Sequence, residues 1–215
     1  MNRRGFSGGT LRVVLAVGVA ALLTGAPACG ADPDQPKIPY KDITKLSLPA
    51  RADLGDNPAN VMRMLATASE PTFRAIVKAG ATFYDGSSLP PKLRELVILR
   101  VGHLSGARYE IFQHEALARR IGLTDDEIAA TGAKNFANSL SPEQVAVLAF
   151  VDDVVKNVRA KDQTLAAARK YLSDTQVVDL TLLSGFYMMI ARTLETTAVP
   201  LDHSPSNWAS VLKKP

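Results

Sequence analysis

From Asn57 onward, helix signals follow one another along the sequence. No stretch alternates polar and apolar residues as a half-buried strand would. The pattern predicts an all-α fold, with helices near 58–69, 71–84, 90–104, 107–121, 125–133, 142–158, 162–171 and 174–195. Three of the helix starts carry capping boxes, in which Ser or Thr is followed three residues later by Glu or Gln: Thr124 with Glu127, Ser141 with Gln144, and Ser173 with Gln176.

The first 28 residues differ in character from the rest of the chain. Three arginines, two of them adjacent at Arg3-Arg4, come before an apolar run of 11 residues, Val13–Leu23. The run is too short to span a bilayer as a permanent helix, and small residues ending at Ala28 follow it. This order predicts a secretory signal peptide over 1–28, and therefore export to the cell envelope by the twin-arginine or the general secretory route.

Cys29 is the sole cysteine of the sequence and follows the predicted leader directly. Its position favours a lipoprotein in which Cys29 becomes the acylated N-terminus and anchors the chain to the membrane. The alternative is plain cleavage after Ala28, which leaves a free thiol at the start of the mature chain. In both cases the remaining domain has no cysteine, so packing and not disulfide bonds must hold it together.

Charge and composition divide the rest of the chain. The leader carries three of the 25 basic residues and no acidic one, which leaves 22 basic against 21 acidic residues and gives no electrostatic reason to bind nucleic acid. Residues 29–56 are rich in Pro, Asp and Lys without an apolar period and are predicted to form a tether. A helical domain is predicted over 57–202, and a short tail over 203–215.

Two predicted helices joined by Ser105-Gly106 carry the candidate catalytic residues. At 100° per residue, Glu95 and His103 lie within the apolar face of the first helix. On the second helix, Glu110 and His114 are four residues apart with the acid N-terminal, the orientation that favours pairing. If the helices pack as a hairpin, Glu95, Glu110 and His114 converge into a cluster suited to proton transfer near neutral pH.

The alternative interpretation of these residues is structural. In that case Glu110 and His114 form a solvated pair on an exposed edge, and Glu95 bonds to a neighbouring arginine. Neither interpretation includes a metal, because His103, His114 and His203 are scattered and no cysteine ligand set exists. Two segments, 145–155 and 177–190, are apolar around most of their circumference, which is typical of a helix buried in a core or between subunits.

The order of short motifs along the chain resembles one known family. Leu-Pro-Pro-Lys-Leu-Arg-Glu-Leu at 89–96, then Tyr109-Glu110 and His114, then Gly122-Leu123-Thr124, resembles the carboxymuconolactone decarboxylase family of the alkylhydroperoxidase D-like superfamily. Gly185-Phe186-Tyr187 with Ala191-Arg192 is similar to its closing helix. The resemblance covers roughly 58–202 and implies the superfamily's helical fold built on a helix hairpin, assembled as a homo-oligomer, either a trimer or a hexamer.

The redox branch of that superfamily carries a Glu, a Cys 12 residues later, a second Cys three beyond it and a His four further on. Counting from Glu95 leads to Ala107, Glu110 and His114, so the Glu and the His are kept and both cysteines are replaced. Thiol-dependent peroxide reduction needs a thiolate nucleophile and a resolving thiol. A hydroperoxide reductase is therefore the disfavoured alternative.

The non-redox branch uses neither a metal nor an organic cofactor. The resemblance therefore implies a cofactor-independent lyase or isomerase acting on a small carboxylated, lactone-like substrate. Glu110 and His114 would be its general acid and base, with Glu95 orienting His114. A non-catalytic binding protein of the envelope is a further alternative.

Three more residues of the first helix carry expectations. Arg100 is expected to hold the substrate carboxylate through a charge-assisted contact. Arg94 is expected on the far side of the helix, paired within the structure. His103 is a candidate for substrate contact as a second acid or base, and the favoured alternative is a satisfied histidine of the core or interface.

Overall fold

The computed structural model describes residues 34–206, which confirm the predicted all-α fold. All eight helices expected from the sequence are present, each beginning within two residues of its predicted start. The predicted signal peptide, Cys29 and the residues from 207 onward lie outside the described range. The helices of the described residues are α1 (Leu48–Leu54), α2 (Asn60–Leu65), α3 (Glu70–Asp85), α4 (Pro91–Ser105), α5 (Arg108–Arg120), α6 (Asp125–Ala130), α7 (Pro142–Asn157), α8 (Asp162–Ala168) and α9 (Asp174–Thr197), with a 3-10 turn at Ile43–Lys45.

Helix α4 lies at the centre of the fold and packs against α5, α7 and α9. Its apolar residues are buried on every side, and Leu96 to Leu99 are fully shielded from solvent. A helix that is apolar around most of its circumference needs such surroundings. Three charged residues of α4, Arg94, Glu95 and Arg100, are buried along with its apolar ones, which sets up the chemistry of the site.

The turn between α4 and α5 brings these two helices into a tight hairpin. Gly106 ends α4 in the left-handed region at φ +67°, where glycine is favoured over other residues. The N–H of Ala107 donates to the carbonyl of Gly102 at 2.8 Å, which closes the turn. A Cβ on Gly102 would lie 3.2 Å from the Ile111 side chain, so glycine at this position allows the close approach of the two helices. The hairpin predicted from Ser105-Gly106 is therefore present.

The capping boxes predicted at Thr124, Ser141 and Ser173 all form, with both reciprocal hydrogen bonds in place. They fix the starts of α6, α7 and α9. Helix α9 is long and apolar enough to cross a membrane, but its buried face packs against α4 and α7 as a core helix. On its other face, Val178, Leu182 and Met189 stay exposed.

Residues 43–54 are not the tether that their composition predicts. They form the 3-10 turn and α1, and Leu46, Ala50 and Leu54 are buried in a second apolar cluster beside α3 and α9. The signal was present but short: Ser47 caps α1 and a proline opens it, over only seven residues. The segment that follows α9 is also held, because Asp202 accepts a hydrogen bond from the N–H of Asn60 at 2.9 Å.

Candidate active site

Glu95 and His114 form a buried pair across the α4–α5 hairpin. Nδ1 of His114 lies 2.7 Å from Oε2 of Glu95, and the Glu95 side chain is completely buried. The other carboxylate oxygen accepts a hydrogen bond from Nε of Arg94 at 3.2 Å. The convergence of Glu95 and His114 expected from the hairpin is therefore present. Arg94 is paired, as expected, but it lies beside the site and not on its far side.

The Arg94 guanidinium lies behind the Glu95–His114 pair and makes several contacts there. In addition to Glu95, it donates to the backbone carbonyl of Phe83 at 3.1 Å and lies over the ring of Tyr84, 4.3 Å from the centroid. A buried carboxylate needs such a counter-charge, since an unpaired charge away from water is very unfavourable. Arg94 therefore balances the charge of Glu95 while Glu95 holds the imidazole ring of His114.

The spacing of Glu110 and His114 predicts a hydrogen bond between them, and this prediction is wrong. His114 directs Nδ1 to Glu95, and among the described residues neither carboxyl oxygen of Glu110 has a hydrogen-bond partner. Glu110 is only 3% exposed, so the solvated edge pair of the alternative interpretation is wrong too. Burial, reinforced by the negative charge of Glu195, raises the pKa of Glu110 to about 9. The side chain is consequently a neutral carboxylic acid at pH 7.

Glu110 and His114 line the same cavity, which has a volume of about 230 Å³. Glu95 is behind His114 and does not reach the cavity wall. The rest of the wall is largely apolar and comes from α2, α3, α5, α9 and the segment after α9. The other lining residues are Val61, Met62, Leu65, Ile76, Val77, Gly80, Ala81, Tyr84, Tyr109, Gln113, Phe186, Tyr187, Ile190, Leu194 and Ser206.

Two tyrosines from different helices complete the wall near His114. The hydroxyls of Tyr84 and Tyr187 are 2.8 Å apart, and the Tyr187 ring meets the His114 ring edge-on at 5.1 Å between centroids. Burial raises the pKa of both phenols, which keeps them neutral. The Phe186-Tyr187 segment, whose spacing suggests plain core, forms core and cavity wall together. Tyr84 lies on α3, outside the two helices that carry the predicted site residues.

A polar cluster ties the segment after α9 to the cavity. Tyr109 and Gln113 both donate hydrogen bonds to the carboxylate of Asp202. The N–H of Ser206 donates to Oε1 of Gln113 at 2.7 Å, and Ser206 itself lines the cavity. The predicted domain end at 202 thus falls inside a segment that contributes to the site.

Arg100 does not hold a substrate carboxylate in this arrangement, and that expectation is wrong. Its guanidinium makes two hydrogen bonds to Asp152, at 2.6 and 2.7 Å, and two more to the backbone carbonyls of Thr131 and Ala133. It is buried and does not line the cavity. These four hydrogen bonds join α4, α7 and the loop after α6.

His103 is also absent from the cavity wall, so the expected substrate contact is wrong. It lies two turns beyond Glu95, half-buried near the end of α4, with its ring against Gly132. Burial lowers its pKa from the ordinary value, which favours the neutral ring. His103 fits its alternative, a histidine packed into the structure. In the part of the chain that the structure describes, no three His, Cys, Asp or Glu side chains gather as metal ligands.

The sequence matches the model of the carboxymuconolactone decarboxylase family over residues 71–153. A curated relative, the uncharacterised protein YdfG of Bacillus subtilis (strain 168), is 30% identical over 99 residues, which is 45% of this chain and 67% of YdfG.

Solved structures show the same fold. An alkylhydroperoxidase AhpD core, an uncharacterised peroxidase-related protein from Ralstonia eutropha JMP134, superposes with a TM-score of 0.70 at 18% identity, over 78% of this chain and 93% of that one. An uncharacterised peroxidase-related protein from Silicibacter sp. TM1040 gives 0.63 at 19% identity, over 76% and 94%. The chain therefore has the alkylhydroperoxidase D-like helical fold. By its sequence it belongs to the carboxymuconolactone decarboxylase family.

Proposed function

We propose that the chain is a cofactor-independent lyase or isomerase that moves protons on a small, lactone-like carbonyl substrate. One observation carries the proposal: a neutral carboxylic acid, Glu110, and a carboxylate-held imidazole, His114, share the wall of one apolar cavity. Two titratable groups with opposed environments are the usual basis of paired acid and base roles. Dithiol chemistry is not proposed, because Ala107 and Glu110 replace both cysteines.

In this mechanism Glu110 acts as the acid. Its O–H, protonated at pH 7, donates to the carbonyl oxygen of the substrate and stabilises the negative charge that develops there. The apolar wall strengthens such a hydrogen bond, since little water competes for it. The unpartnered state of both Glu110 oxygens supports the role, because a buried polar group without a partner is costly and is expected to have one in use.

His114 acts as the base. While Glu95 is ionised, the Nδ1 proton of His114 is held toward it, so the neutral ring carries its lone pair on Nε2. Nε2 takes a proton from the carbon next to the substrate carbonyl, and the electron pair of that C–H bond moves toward the carbonyl oxygen. Return of the proton to another carbon gives isomerisation, whereas loss of a leaving group from the adjacent carbon gives a lyase. Glu95 and Arg94 act as positioning residues.

The proposal predicts exchange of carbon-bound protons. In D₂O, the purified protein should exchange the protons next to the carbonyl group of small ketones and lactones for deuterium. The rate of this exchange is measured by ¹H NMR. We expect His114→Gln and Glu110→Gln each to lower the rate about 10²- to 10⁴-fold, the usual contribution of one acid or base. Glu115→Gln, on the same helix at the surface, is the matched control and should leave the rate unchanged. Equal exchange by all four proteins would contradict the assignment and favour a non-catalytic binding protein.

We further propose that the protein is exported and anchored through Cys29. The arginines, apolar run and small residues of the first 28 positions support export. If Cys29 is acylated, the wild-type protein should partition into the membrane fraction of its expressing cells and Cys29→Ser into the soluble fraction. Identical partition of the two proteins would contradict the anchor.

Assembly as a homo-oligomer, a trimer or a hexamer, is likewise a proposal. The exposed stripe of Val178, Leu182 and Met189 on α9 supports it. Exposure of adjacent apolar side chains to water is unfavourable, and association with another copy of the chain would bury them. A charge in the middle of this stripe, Leu182→Glu, should reduce the mass of the particle measured by analytical ultracentrifugation. A monomeric wild-type protein would contradict the proposal.

A further inference from the structure

The charges around the cavity limit what the site can bind, and they do not match the carboxylated substrate that the family resemblance implies. None of the described residues that line the cavity is a lysine or an arginine. The two arginines buried among the described residues are both engaged elsewhere, Arg94 with Glu95 and Arg100 with Asp152. A carboxylate entering the cavity would therefore find no guanidinium or ammonium group in the wall.

His114 does not replace the missing cation. If its ring takes a proton, the positive charge is already adjacent to the Glu95 carboxylate, 2.7 Å away. Glu195 adds a further negative charge near Glu110. The electrostatic potential at the cavity wall is thus neutral to negative. Moving an uncompensated anion there from water costs several kcal/mol.

Glu110 provides the complementary preference. Its carboxyl is almost wholly buried, it lines the cavity, and neither of its oxygens has a partner among the described residues. In its neutral form it offers one O–H donor. A ketone, ester or lactone oxygen accepts that hydrogen bond without bringing charge, and the apolar remainder of the molecule then contacts Val77, Phe186 and Ile190.

We propose that this cavity selects uncharged carbonyl compounds and rejects carboxylates, with Glu110 as the specificity-determining residue. The inference rests on the proposed function in one respect, that this cavity is the substrate site. It narrows the reaction class, because decarboxylation requires a substrate that enters as an anion. The reactions that remain are isomerisation of a neutral lactone or ketone and elimination from such a compound.

Acetophenone and benzoate are suitable probes, since they share an aromatic ring and differ mainly in charge. Isothermal titration calorimetry of the full chain at pH 7 should give an affinity for acetophenone at least tenfold above that for benzoate. Glu110→Gln keeps a neutral donor and should keep the preference. Glu110→Leu removes the donor and should weaken acetophenone binding about tenfold, while its thermal unfolding reports whether the fold is retained.

A variant that gains affinity for benzoate provides the second part of the experiment. Ala81 lies on α3 at the cavity, is exposed to solvent and tolerates a longer helical residue, so Ala81→Lys adds a cation at low risk to the fold. This variant should bind benzoate at least tenfold more tightly than wild type does.

Benzoate bound as tightly as acetophenone by the wild type, or no binding of acetophenone at all, would overturn the inference. The titration involves no turnover, so its result is separate from that of the exchange experiment. Selective binding without proton exchange would contradict the proposed function alone, whereas exchange on carboxylated ketones as fast as on neutral ones would contradict the selectivity alone.

Discussion

Replacing Glu110 with glutamine should raise the free energy of unfolding by about 3 kcal/mol at pH 7. The unfolded chain ionises this carboxyl around its ordinary pKa of 4.5, whereas the folded chain holds the proton up to about pH 9. At pH 7 the difference is about 2.5 pH units at about 1.4 kcal/mol each. Glutamine has nearly the same shape and never ionises, so it removes this penalty. The corresponding rise in melting temperature is roughly 6 to 12 °C.

The pH dependence of the effect has a definite sign. Between pH 4.5 and 9 the folded state binds more protons than the unfolded state, so the stability of the wild type falls as pH rises. Below pH 4 both states are protonated, and Glu110→Gln should match the wild type. Toward pH 9 the gap should widen to about 6 kcal/mol. Urea unfolding of both proteins at several pH values measures the difference directly.

Glu115→Gln is the control for this series. Glu115 lies on the same helix and pairs with Arg119 near the surface, where an ion pair contributes less than about 1 kcal/mol. Its replacement should leave the pH profile of stability in place. A Glu110→Gln protein that is no more stable than wild type at pH 8 would contradict the buried, neutral state of Glu110. The gain should coincide with lost proton exchange, a common trade between stability and activity.

Replacing Glu95 with glutamine should have the opposite effect and destabilise the fold by about 3 to 5 kcal/mol. Glu95 is fully buried between Arg94 and His114, and its loss leaves the Arg94 charge in the interior without a counter-charge. Breaking a buried ion pair on one side is far more damaging than removing both partners. Chemical denaturation at pH 7 measures the loss.

A second replacement separates the charge from the packing. In the double variant Arg94→Met/Glu95→Gln no buried charge is left uncompensated, so much of the stability should return although one hydrogen bond to Phe83 is lost. Proton exchange should stay low in both variants, since His114 no longer has a carboxylate at Nδ1. If Glu95→Gln alone lowers the free energy of unfolding by less than about 1 kcal/mol, the buried charge of Arg94 does not depend on Glu95 for compensation.

The helices and the hairpin were predictable because their signals are local. A capping box such as Ser141 with Gln144 specifies a helix start over four residues, and Gly106 specifies the turn between α4 and α5. The convergence of Glu95 and His114 follows from two helix faces and one turn. α1 escaped prediction because its seven residues carry too little apolar period, and its stability comes from packing against distant helices.

The partners within the site could not be derived in the same way. Spacing along α5 favours a Glu110–His114 bond, but the imidazole of His114 turns to Glu95 on the neighbouring helix, a competition that periodicity on one helix does not contain. Arg100 lies close to the active face by angle, yet Asp152 on α7 takes its guanidinium. The sequence alone also does not reveal Tyr84 in the wall or the unpartnered state of Glu110, since both depend on how α3 and α9 pack on the hairpin.

The ionisation of Glu110 can be observed directly. In protein labelled with ¹³C at glutamate side chains, the carboxyl carbon of Glu110, assigned by its absence in Glu110→Gln, can be followed by NMR from pH 4 to 10. We expect this carbon to keep the chemical shift of a protonated acid through pH 7 and to titrate with a pKa of about 9. A titration near the ordinary value of 4.5 would contradict the account, because Glu110 would then be an anion at neutral pH and could not donate the proton.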